Sequence, residues 1–550
     1  MSPPGAGIAA AEIKIAGQAL DPNLAPLLQE VRVDDHLTMP DTFLIRLSDP
    51  GLQHMDKSPL EVGAEVEISF GAPDANRLSP MLVGQIAAVE PEFRADGISI
   101  VARGYDHSHA LNRTRRNATY QDATVDEIVR KVAQGAGLQV GTVESAGGTQ
   151  KFVQQSNETD WDFLWRLGNR VGSEVLVVDR KLHFRPAGGG GANGEPVALR
   201  YGDSLVAFRP RLSGVQQVDE VLVRGWDHSS KRAIEATARV ERPHSTIGVA
   251  RDAVASALAG GKMTVSDAPV TTQEEADALA RSVAARIANG YVEAEGTCRG
   301  NPRVRAGGEV RVEGVGSRFS GTYRISSTTH VLRGAAGYET RFVISGGSSR
   351  SLMELMAPPA KGGWESGGVQ VAVVTQNEDP DGLGRVRVKY PELGEDTEGW
   401  WARIVSPGAG ADRGLMMTPV VGDEVLVAFE HGDTRRPYVL GSLWNGKDTP
   451  GELVQSDGSF RLRSAETLQL ESAKDLTIKS GEKLLVEIGS AKLNMAKDGT
   501  ISAEGKDVTV KGSGSITIDS QGSLTIKSGG SMTIQAAGTL KVSGAQVTLG

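Results

Sequence analysis

The chain has 550 residues, a formal net charge of −9 and a single cysteine, Cys298. The acidic balance argues against a general nucleic-acid binder, which is normally basic. One cysteine allows neither an intrachain disulfide nor a cysteine-based zinc site. The first residues lack the features of a Sec signal, and no window approaches about 18 uninterrupted apolar residues. We therefore expect about three to five domains, synthesis in the cytoplasm and no stable membrane insertion.

Short apolar runs dominate residues 1–103, which we predict to be a first β-barrel. The runs alternate between apolar and polar residues and are separated by turn-forming residues, as strands require. They lie at 12–15, 31–35, 42–47, 65–70, 82–90 and 98–103.

Residues 104–200 mix helical and strand patterns and are predicted to be an α+β insert. Thr124 followed by Glu127 forms a capping box that opens one helix, and Thr159 followed by Asp162 opens a second. Residues 201–350 return to strands, including 308–312 and 321–325, and form a second barrel with one helix. That helix begins at Thr272, with Glu275 at the capping-box position.

Glycine- and serine-rich stretches separate these parts from the next. Residues 186–194 are predicted to be a surface loop and residues 346–368 a linker, with 351–367 as its central part. Residues 368–446 then show strand patterns around an Asp-Pro-Asp-Gly turn at 379–382. The runs at 369–375, 383–391, 400–405, 422–429 and 436–441 predict a small closed barrel of the OB type. Residues 447–459 form a short connection.

The last segment, residues 460–550, repeats a pair of apolar residues every eight positions, with one polar residue inside each pair. The pairs are Phe460/Leu462, Leu468/Leu470, Leu476/Ile478, Leu484/Val486, then after a one-residue slip Leu493/Met495, and Val508/Val510, Ile516/Ile518, Leu524/Ile526, Met532/Ile534, Leu540/Val542 and Val547/Leu549. Glycines stand in register between them at Gly514, Gly522, Gly530 and Gly538. Fixed-period alternation of this kind indicates a stacked β array.

Eight residues provide one short strand and a bend, whereas a solenoid coil needs roughly 20 or more residues to travel around its own core. Each strand can bury only one face. The repeat therefore predicts several identical chains winding together, each contributing one wall at each level. The alternative is a flexible low-complexity tail. A disordered tail has no reason to hold an apolar pair in register, so we favour the assembly.

Several phrases resemble one known family. GLGRVRVKYP, WWARI, GDEVLVAFEHGD and RPYVLGSLWN are similar to the barrel of contractile-tail spike proteins. These include the VgrG proteins of type VI secretion, phage baseplate spikes and the spikes of extracellular contractile injection systems. GYDHSHAL, the helix TVDEIV, NETDWDFL and GYETRF resemble the tail-hub half of the same family.

The resemblance implies a mainly β fold with a minor α+β insert. Its parts would be paired tail-hub barrels, an OB-fold barrel and a C-terminal intertwined trimeric β-helix. The implied function is a structural spike that joins a sixfold tail tube to a threefold needle, which punctures the target envelope. The implied alternative is a type VI or phage spike that also degrades cell wall. The three machines are not separated by the sequence.

The resemblance also implies partners and interface residues. The homotrimer would bind tail-tube or tube-initiator proteins and baseplate wedge proteins at its hub, and a PAAR-type tip protein at its other end. The particle would assemble in the bacterial cytoplasm and be delivered outward on contraction. The expected trimer core is Leu468, Leu470, Leu476, Ile478, Val508, Val510, Ile516, Ile518, Leu524, Ile526, Met532, Ile534, Leu540 and Val542. The expected tip-docking residues are Gln546, Val547, Thr548, Leu549 and Gly550.

We predict no catalytic, cofactor or metal site, and no enzyme activity. His107 and His109 lack a third ligand nearby in sequence. The 13 residues 447–459 are too few for a catalytic domain, and no fused effector is expected after Gly550.

Two acidic clusters could be interpreted as acid–base pairs. They are Asp379 with Asp381, and Glu430 with His431 and Asp433. Both occur in turn sequences, where aspartate is expected for backbone reasons. A spike-borne cell-wall hydrolase and an OB-type binder of nucleic acid or glycan remain the rival functions.

Overall fold

The structure, a computed structural model, describes the chain except residues 1–10, 55–58, 72–77, 96, 146, 189–193, 216, 242, 259, 335–336, 347–367, 395–396, 455 and 549–550. The predicted loop at 186–194 therefore lies partly outside the described residues, and the linker 351–367 lies wholly outside them. The described residues form two compact units, Met1–Pro450 and Gly451–Gly550.

Strands dominate the beginning of the first unit. They are β1 (Ala11–Ile15), β2 (Gln18–Ala19), β3 (Leu28–His36), β4 (Thr42–Ser48), β5 (Glu65–Gly71), β6 (Leu78–Arg94) and β7 (Gly97–Asp106). Alternate side chains of β3 and β5 are buried, as their apolar–polar alternation predicts. Val31, Val33, Val66, Ile68 and Phe70 belong to one core.

The insert follows as β8 (Arg115–Thr124), α1 (Val125–Gly135), β9 (Gln139–Val143), β10 (Thr149–Thr159), α2 (Asp160–Val171), β11 (Ser173–Val178) and β12 (Lys181–Pro186). Thr124 and Glu127 close the full capping box at α1. At α2 the Thr159 hydroxyl accepts a hydrogen bond from the Asp162 backbone amide. Both helices bury their apolar face in one core.

The second strand-rich part contains β13 (Val197–Arg200), β14 (Leu205–Leu212), β15 (Glu220–Asp227), β16 (Arg232–Arg239), β17 (Thr246–Ile247), α3 (Arg251–Ala257), β18 (Lys262–Val265), α4 (Gln273–Asn289), β19 (Val292–Arg299), β20 (Glu309–Glu313), β21 (Gly321–Arg324), β22 (Ser327–Arg333) and β23 (Gly337–Ile344). The predicted helix at Thr272 is α4, and α3 was not predicted. Among the described residues, no helix has the length and apolar character needed to span a membrane.

One sheet joins the two strand-rich parts. Its strand order is β14-β19-β23-β22-β3-β4-β7-β6-β5-β1-β2, and the junction is the antiparallel pair β22–β3, from Ser327 opposite His36 to Arg333 opposite Glu30. Tyr338 of β23 is buried against Phe70 of β5, with ring centroids 4.9 Å apart. The two parts are therefore halves of one continuous structure.

The predicted OB-type barrel is present and closed. Its strands are β24 (Val369–Gln376), β25 (Val386–Lys389), β26 (Glu398–Ile404), β29 (Glu424–Phe429) and β30 (Pro437–Ser442), with a small hairpin of β27 (Ala409–Gly410) and β28 (Arg413–Gly414) between them. The ring runs β24-β25-β26-β30-β29. Its interior is filled by valines, alanines and Tyr390. The mainly β class with a minor α+β insert is confirmed.

The second unit contains one short antiparallel sheet, formed by β31 (Lys483–Ile488), β32 (Ala491–Ala496) and β33 (Ile501–Glu504). On both sides of it, the eight-residue repeats follow an extended, bent course without pairing within the chain, as far as residues 460–548 are described. The one-residue slip in the repeat at Leu493/Met495 falls inside this sheet.

Candidate functional site

The apolar pairs of the repeat are exposed in the single chain. Leu470, Ile518 and Val542 expose 70%, 69% and 68% of their surface, and the other predicted core residues expose about half or more. Monomeric proteins rarely expose a contiguous apolar stripe of this length. The exposed apolar pairs fit a surface that other chains cover. That these chains are further copies of the same protein stays a prediction.

Serines mark the corners of the repeat, and the sequence interpretation missed them. Ser464, Ser472, Ser480, Ser520 and Ser528 each donate the hydroxyl hydrogen to the carbonyl oxygen three residues later, over 2.7–3.3 Å. Each stands four residues before the first member of an apolar pair. A local side-chain to backbone bond of this kind fixes a bend without help from another strand. The eight-residue serine spacing was the available signal.

The repeat glycines show no special backbone conformation in the single chain. Gly514, Gly522, Gly530 and Gly538 do not adopt a left-handed φ, and a Cβ atom at each would meet no atom within 4 Å in the single chain. They are therefore not required by the local turn geometry.

The predicted tip-docking residues are partly described. Gln546, Val547 and Thr548 are exposed, whereas Leu549 and Gly550 lie outside the described residues. Their docking role stays a prediction.

A second set of residues fastens the barrel to the N-terminal part of the first unit. We call Asp433, Arg435 and Arg436 of the barrel and Glu275 of α4 the clasp. Arg435 Nη1 donates to Glu275 Oε1 at 2.8 Å and Arg435 Nη2 to Asp433 Oδ2 at 2.9 Å. Arg435 Nη2 also donates to the Pro269 carbonyl at 3.1 Å. The bonds to Glu275 and to the Pro269 carbonyl join residues 160 or more positions apart in sequence, whereas Asp433 is a near neighbour of Arg435.

Arg436 extends the same contact. Its Nη2 donates to the Trp226 carbonyl at 2.8 Å, and its Nη1 donates to Glu430 at 2.9 Å. Beside it, the Phe152 ring of β10 stacks on Trp400 of β26, with centroids 5.4 Å apart. The barrel is thus attached through both buried charge and aromatic packing.

Burial and charge compete within the clasp. Burial would raise the pKa of the Asp433 carboxyl, but Arg435 and Arg170 hold that pKa below its ordinary value. Against the same burial effect, Arg435 and Arg170 lower the pKa of Glu275 to about 2. Burial lowers the pKa of Arg170 to about 10, with Arg435 adding to the effect. The two carboxylates and Arg435 are therefore charged at neutral pH.

The histidines considered as ligands contact different partners. His107 Nε2 lies 3.0 Å from Arg180 Nε, whereas the His109 ring stacks on Tyr105 with centroids 4.5 Å apart. Burial lowers the pKa of both imidazoles. Among the described residues, no group of three or more His, Cys, Asp or Glu side chains is arranged to hold a metal ion.

The acidic candidates of the barrel form structural contacts. Asp379 accepts two hydrogen bonds from Arg385, at 2.7 and 2.9 Å, which hold the pKa of Asp379 well below its ordinary value. Asp381 also accepts from Arg385. Glu430 accepts from Arg436 and from the Tyr438 hydroxyl at 2.6 Å.

A polar cavity of about 450 Å³ lies between the first sheet and the insert, and the sequence interpretation missed it. Asp35, Asp41 and Asp106 line it with Arg305, whose Nε donates to Asp35 Oδ2 at 2.5 Å. Burial raises the pKa of Asp41, and it raises the pKa of Asp106 to about 6 although the Ser108 hydroxyl donates to that carboxyl.

Two family models match different parts of the chain. The family described as the Alg8 N-terminal domain matches residues 8–334, and the type VI secretion system/phage-baseplate injector OB domain matches residues 370–444. The probable baseplate hub protein of Escherichia phage P2 is 36% identical over 110 residues, which cover 20% of this chain and 28% of that protein.

The spike protein VgrG1a of Pseudomonas aeruginosa is 23% identical over 378 residues, covering 62% of this chain and 56% of that protein. The chain thus spans only part of the length of these relatives, 28% of the phage P2 hub protein and 56% of VgrG1a. A solved E. coli component of the type VI secretion system, described as similar to the T4 phage tail proteins gp27 and gp5, is 18% identical. It covers 78% of this chain and 99% of its own, with a TM-score of 0.48.

Proposed function

Since the chain belongs to the VgrG-like baseplate spike family, with the Alg8 N-terminal domain over residues 8–334, we propose that it is the structural hub and spike of a contractile injection system. Its work is mechanical: it joins a sixfold tube to a threefold needle that punctures the target envelope. The observation that carries this proposal is the exposed apolar repeat that follows an injector-type OB barrel in the same chain.

The apolar pairs support a needle made of three intertwined copies. Full burial of one Leu, Ile or Val side chain stabilises by about 1.5–3 kcal/mol. The predicted core side chains are half to two-thirds exposed in the single chain, so each recovers roughly 1 kcal/mol or more on assembly. Pairing of the extended repeats between copies also satisfies backbone groups that have no partner strand within the chain.

The clasp suits the transmission of force from hub to needle. A contact that contains buried, charge-assisted hydrogen bonds resists separation in a defined direction more strongly than a flexible linker. In the N-terminal part, each copy has two strand-rich halves that are joined by one sheet. Three copies would then present six halves to a tube.

The partners follow from the same proposal. Tube or tube-initiator subunits would contact the hub, and baseplate wedge proteins its outer surface. A PAAR-type tip protein would dock at residues 546–550. A trimer truncated after Ala545 should lose this tip protein and keep its three copies. The particle would assemble in the bacterial cytoplasm and leave it on contraction.

We further propose that the protein is not an enzyme. The relatives described above are named as hub and spike proteins. Asp379, Glu430 and Asp433 are each held by an arginine, which suits a structural carboxylate better than a general acid. Zymography on peptidoglycan should show no clearing, and clear lysis would favour the cell-wall hydrolase instead. An oligonucleotide mobility shift at moderate salt would favour the OB-type binder.

The decisive experiment is the mass of the purified full-length chain at low concentration. Three copies per particle are expected. A well-folded monomer would overturn the proposal, because the apolar repeat would then have no covering surface.

A further inference from the structure

The sheet of β31, β32 and β33 interrupts the repeat with hairpin chemistry of its own. Gly489 and Ser490 form a two-residue loop between the paired residues Ile488 and Ala491, and Gly489 has φ of +57°. Gly in the first loop position followed by Ser is a signature of the type II′ hairpin turn. Gly499, with φ of +90°, closes the next turn. The segment therefore pairs within the chain, unlike the repeats around it.

This sheet has one apolar face and one mostly polar face. Alternation along the strands and the observed register place Leu484, Val486, Ile488, Ala491, Leu493, Met495, Ile501 and Ala503 on the same face. The opposite face carries Glu487 and Lys492, whose charged groups lie 2.9 Å apart, together with Lys483 and Glu504.

The apolar face is uncovered in the single chain. Ile488 exposes 77% and Ile501 68% of their surface, and Val486 exposes about half. In sequence, this face lies between the apolar pair Leu476/Ile478 and the apolar pair Val508/Val510 of the repeat. Because those pairs are the surface that copies of this chain cover in the proposed needle, the same copies are the occupants that continuity requires here.

The length of the interruption is also informative. Leu484 stands eight residues after Leu476, and Val508 stands 24 residues after Leu484, which is three repeats. The repeat thus resumes in phase. Within the repeats alone, a copy that slips by eight residues replaces each apolar pair by an equivalent pair and loses contacts only at the ends. Such a weakly specified register invites misalignment.

We propose that residues 483–504 form a prism that sets the register of the needle, in which three copies pack their self-paired sheets with the apolar faces inward. A slipped copy would set a flat sheet against a bent repeat, leaving the apolar face partly in water. The proposal rests on the proposed trimer and adds a specific contact to it.

Thiol accessibility tests the packing. Val486→Cys and Glu487→Cys place thiols on opposite faces of one strand, and the native Cys298 is buried. In a particle whose mass shows three copies, maleimide should modify position 486 roughly tenfold or more slowly than position 487, because reactivity follows exposure. Leu493→Cys and Lys492→Cys give an independent pair on β32. Equal rates within a trimer would overturn the prism while leaving the trimer intact. A monomer would overturn both.

An in-phase deletion tests the register. Removal of residues 484–507 joins Lys483 to Val508 and keeps the eight-residue spacing. With a nitroxide on Thr525→Cys, pulsed EPR of the full-length trimer should give one interspin distance. The deletion trimer should add longer distances from slipped copies. A single unchanged distance in that trimer would overturn the role in register.

Discussion

Substitution of Arg435 by methionine tests the clasp most directly. Methionine keeps much of the aliphatic volume of the arginine but removes its charge and its five donors. Asp433, only 1% exposed at its side chain, and Glu275, 15% exposed, would then share Arg170 as their nearest cation. The Pro269 carbonyl would keep its bond from Arg170 at 2.9 Å.

The expected cost follows from the unpaired carboxylates. Breaking a buried ion pair by removing one partner typically costs about 3–5 kcal/mol. Because Arg170 remains nearby, we expect the lower end, about 3 kcal/mol. The triple variant Arg435→Met, Asp433→Asn and Glu275→Gln removes the uncompensated charges as well. It should lose less free energy of unfolding than Arg435→Met alone, because the effects of substitutions at contacting residues are not additive.

Urea unfolding followed by tryptophan fluorescence is a suitable assay, since Trp400 lies at the contact. A loss of about 3 kcal/mol corresponds to a midpoint shift of about 1 M at an m-value of about 3 kcal/mol/M, and to a smaller shift at the larger m-values of larger proteins. Arg413→Met on the exposed β28 is the matched control and should leave the midpoint nearly unchanged. Equal midpoints for the two variants would refute the reasoning.

The pH dependence supplies a second check on the clasp. Glu275 has a folded pKa of about 2, below its ordinary value of 4.5. Its contribution to stability is therefore present above about pH 4.5 and lost as the pH falls towards 2. The difference between wild type and Arg435→Met should shrink over the same range.

Three further variants test other parts of the molecule. Asp106 has a folded pKa raised to about 6 from 3.8, so its ionisation lowers stability as pH rises from about 4 to 6. Asp106→Asn should raise the melting temperature at pH 8, by a stability gain of about 3 kcal/mol at about 1.4 kcal/mol per pKa unit, and change it little at pH 4. An equal effect at both pH values would contradict this. Leu524→Asp should reduce the trimer mass to monomer, whereas Thr525→Asp at the intervening polar position should not; trimers from both would argue against the predicted core. Ser520→Ala should lower needle stability by about 0.5–1.5 kcal/mol per copy, while Ser523→Ala, whose backbone carbonyl still accepts, should not, as thermal unfolding of each trimer can show.

Local signals carried much of the fold prediction. Thr124 and Glu127 form the capping box that the sequence predicted, and the strand runs of the barrel close into the expected ring. α3 was missed because Ala250 precedes it without a capping side chain, so no start signal is present. The Gly489–Ser490 hairpin signal was present but was interpreted as a slip in the repeat.

Long-range contacts escaped prediction for a different reason. Arg435 and Glu275 lie 160 residues apart in sequence, and neither residue carries a local pattern that identifies the other. The buried Asp35 and the half-buried Asp41 and Asp106 likewise meet only after β3, β7 and their neighbours have folded. Periodicity reports which face of an element is apolar, whereas pairing between distant charges depends on the completed packing.

The β3–β22 pair has a consequence for synthesis on the ribosome. β3 ends at His36, yet its partner begins only at Ser327, so the nascent chain carries an unpaired strand edge through the translation of about 290 intervening residues. At bacterial elongation rates of roughly 5–20 residues per second this lasts on the order of half a minute. Exposed edges of this kind attract other strands. Pairing of β3 with β22 thus waits until residue 333 has left the exit tunnel, and chaperone capture should peak before that point.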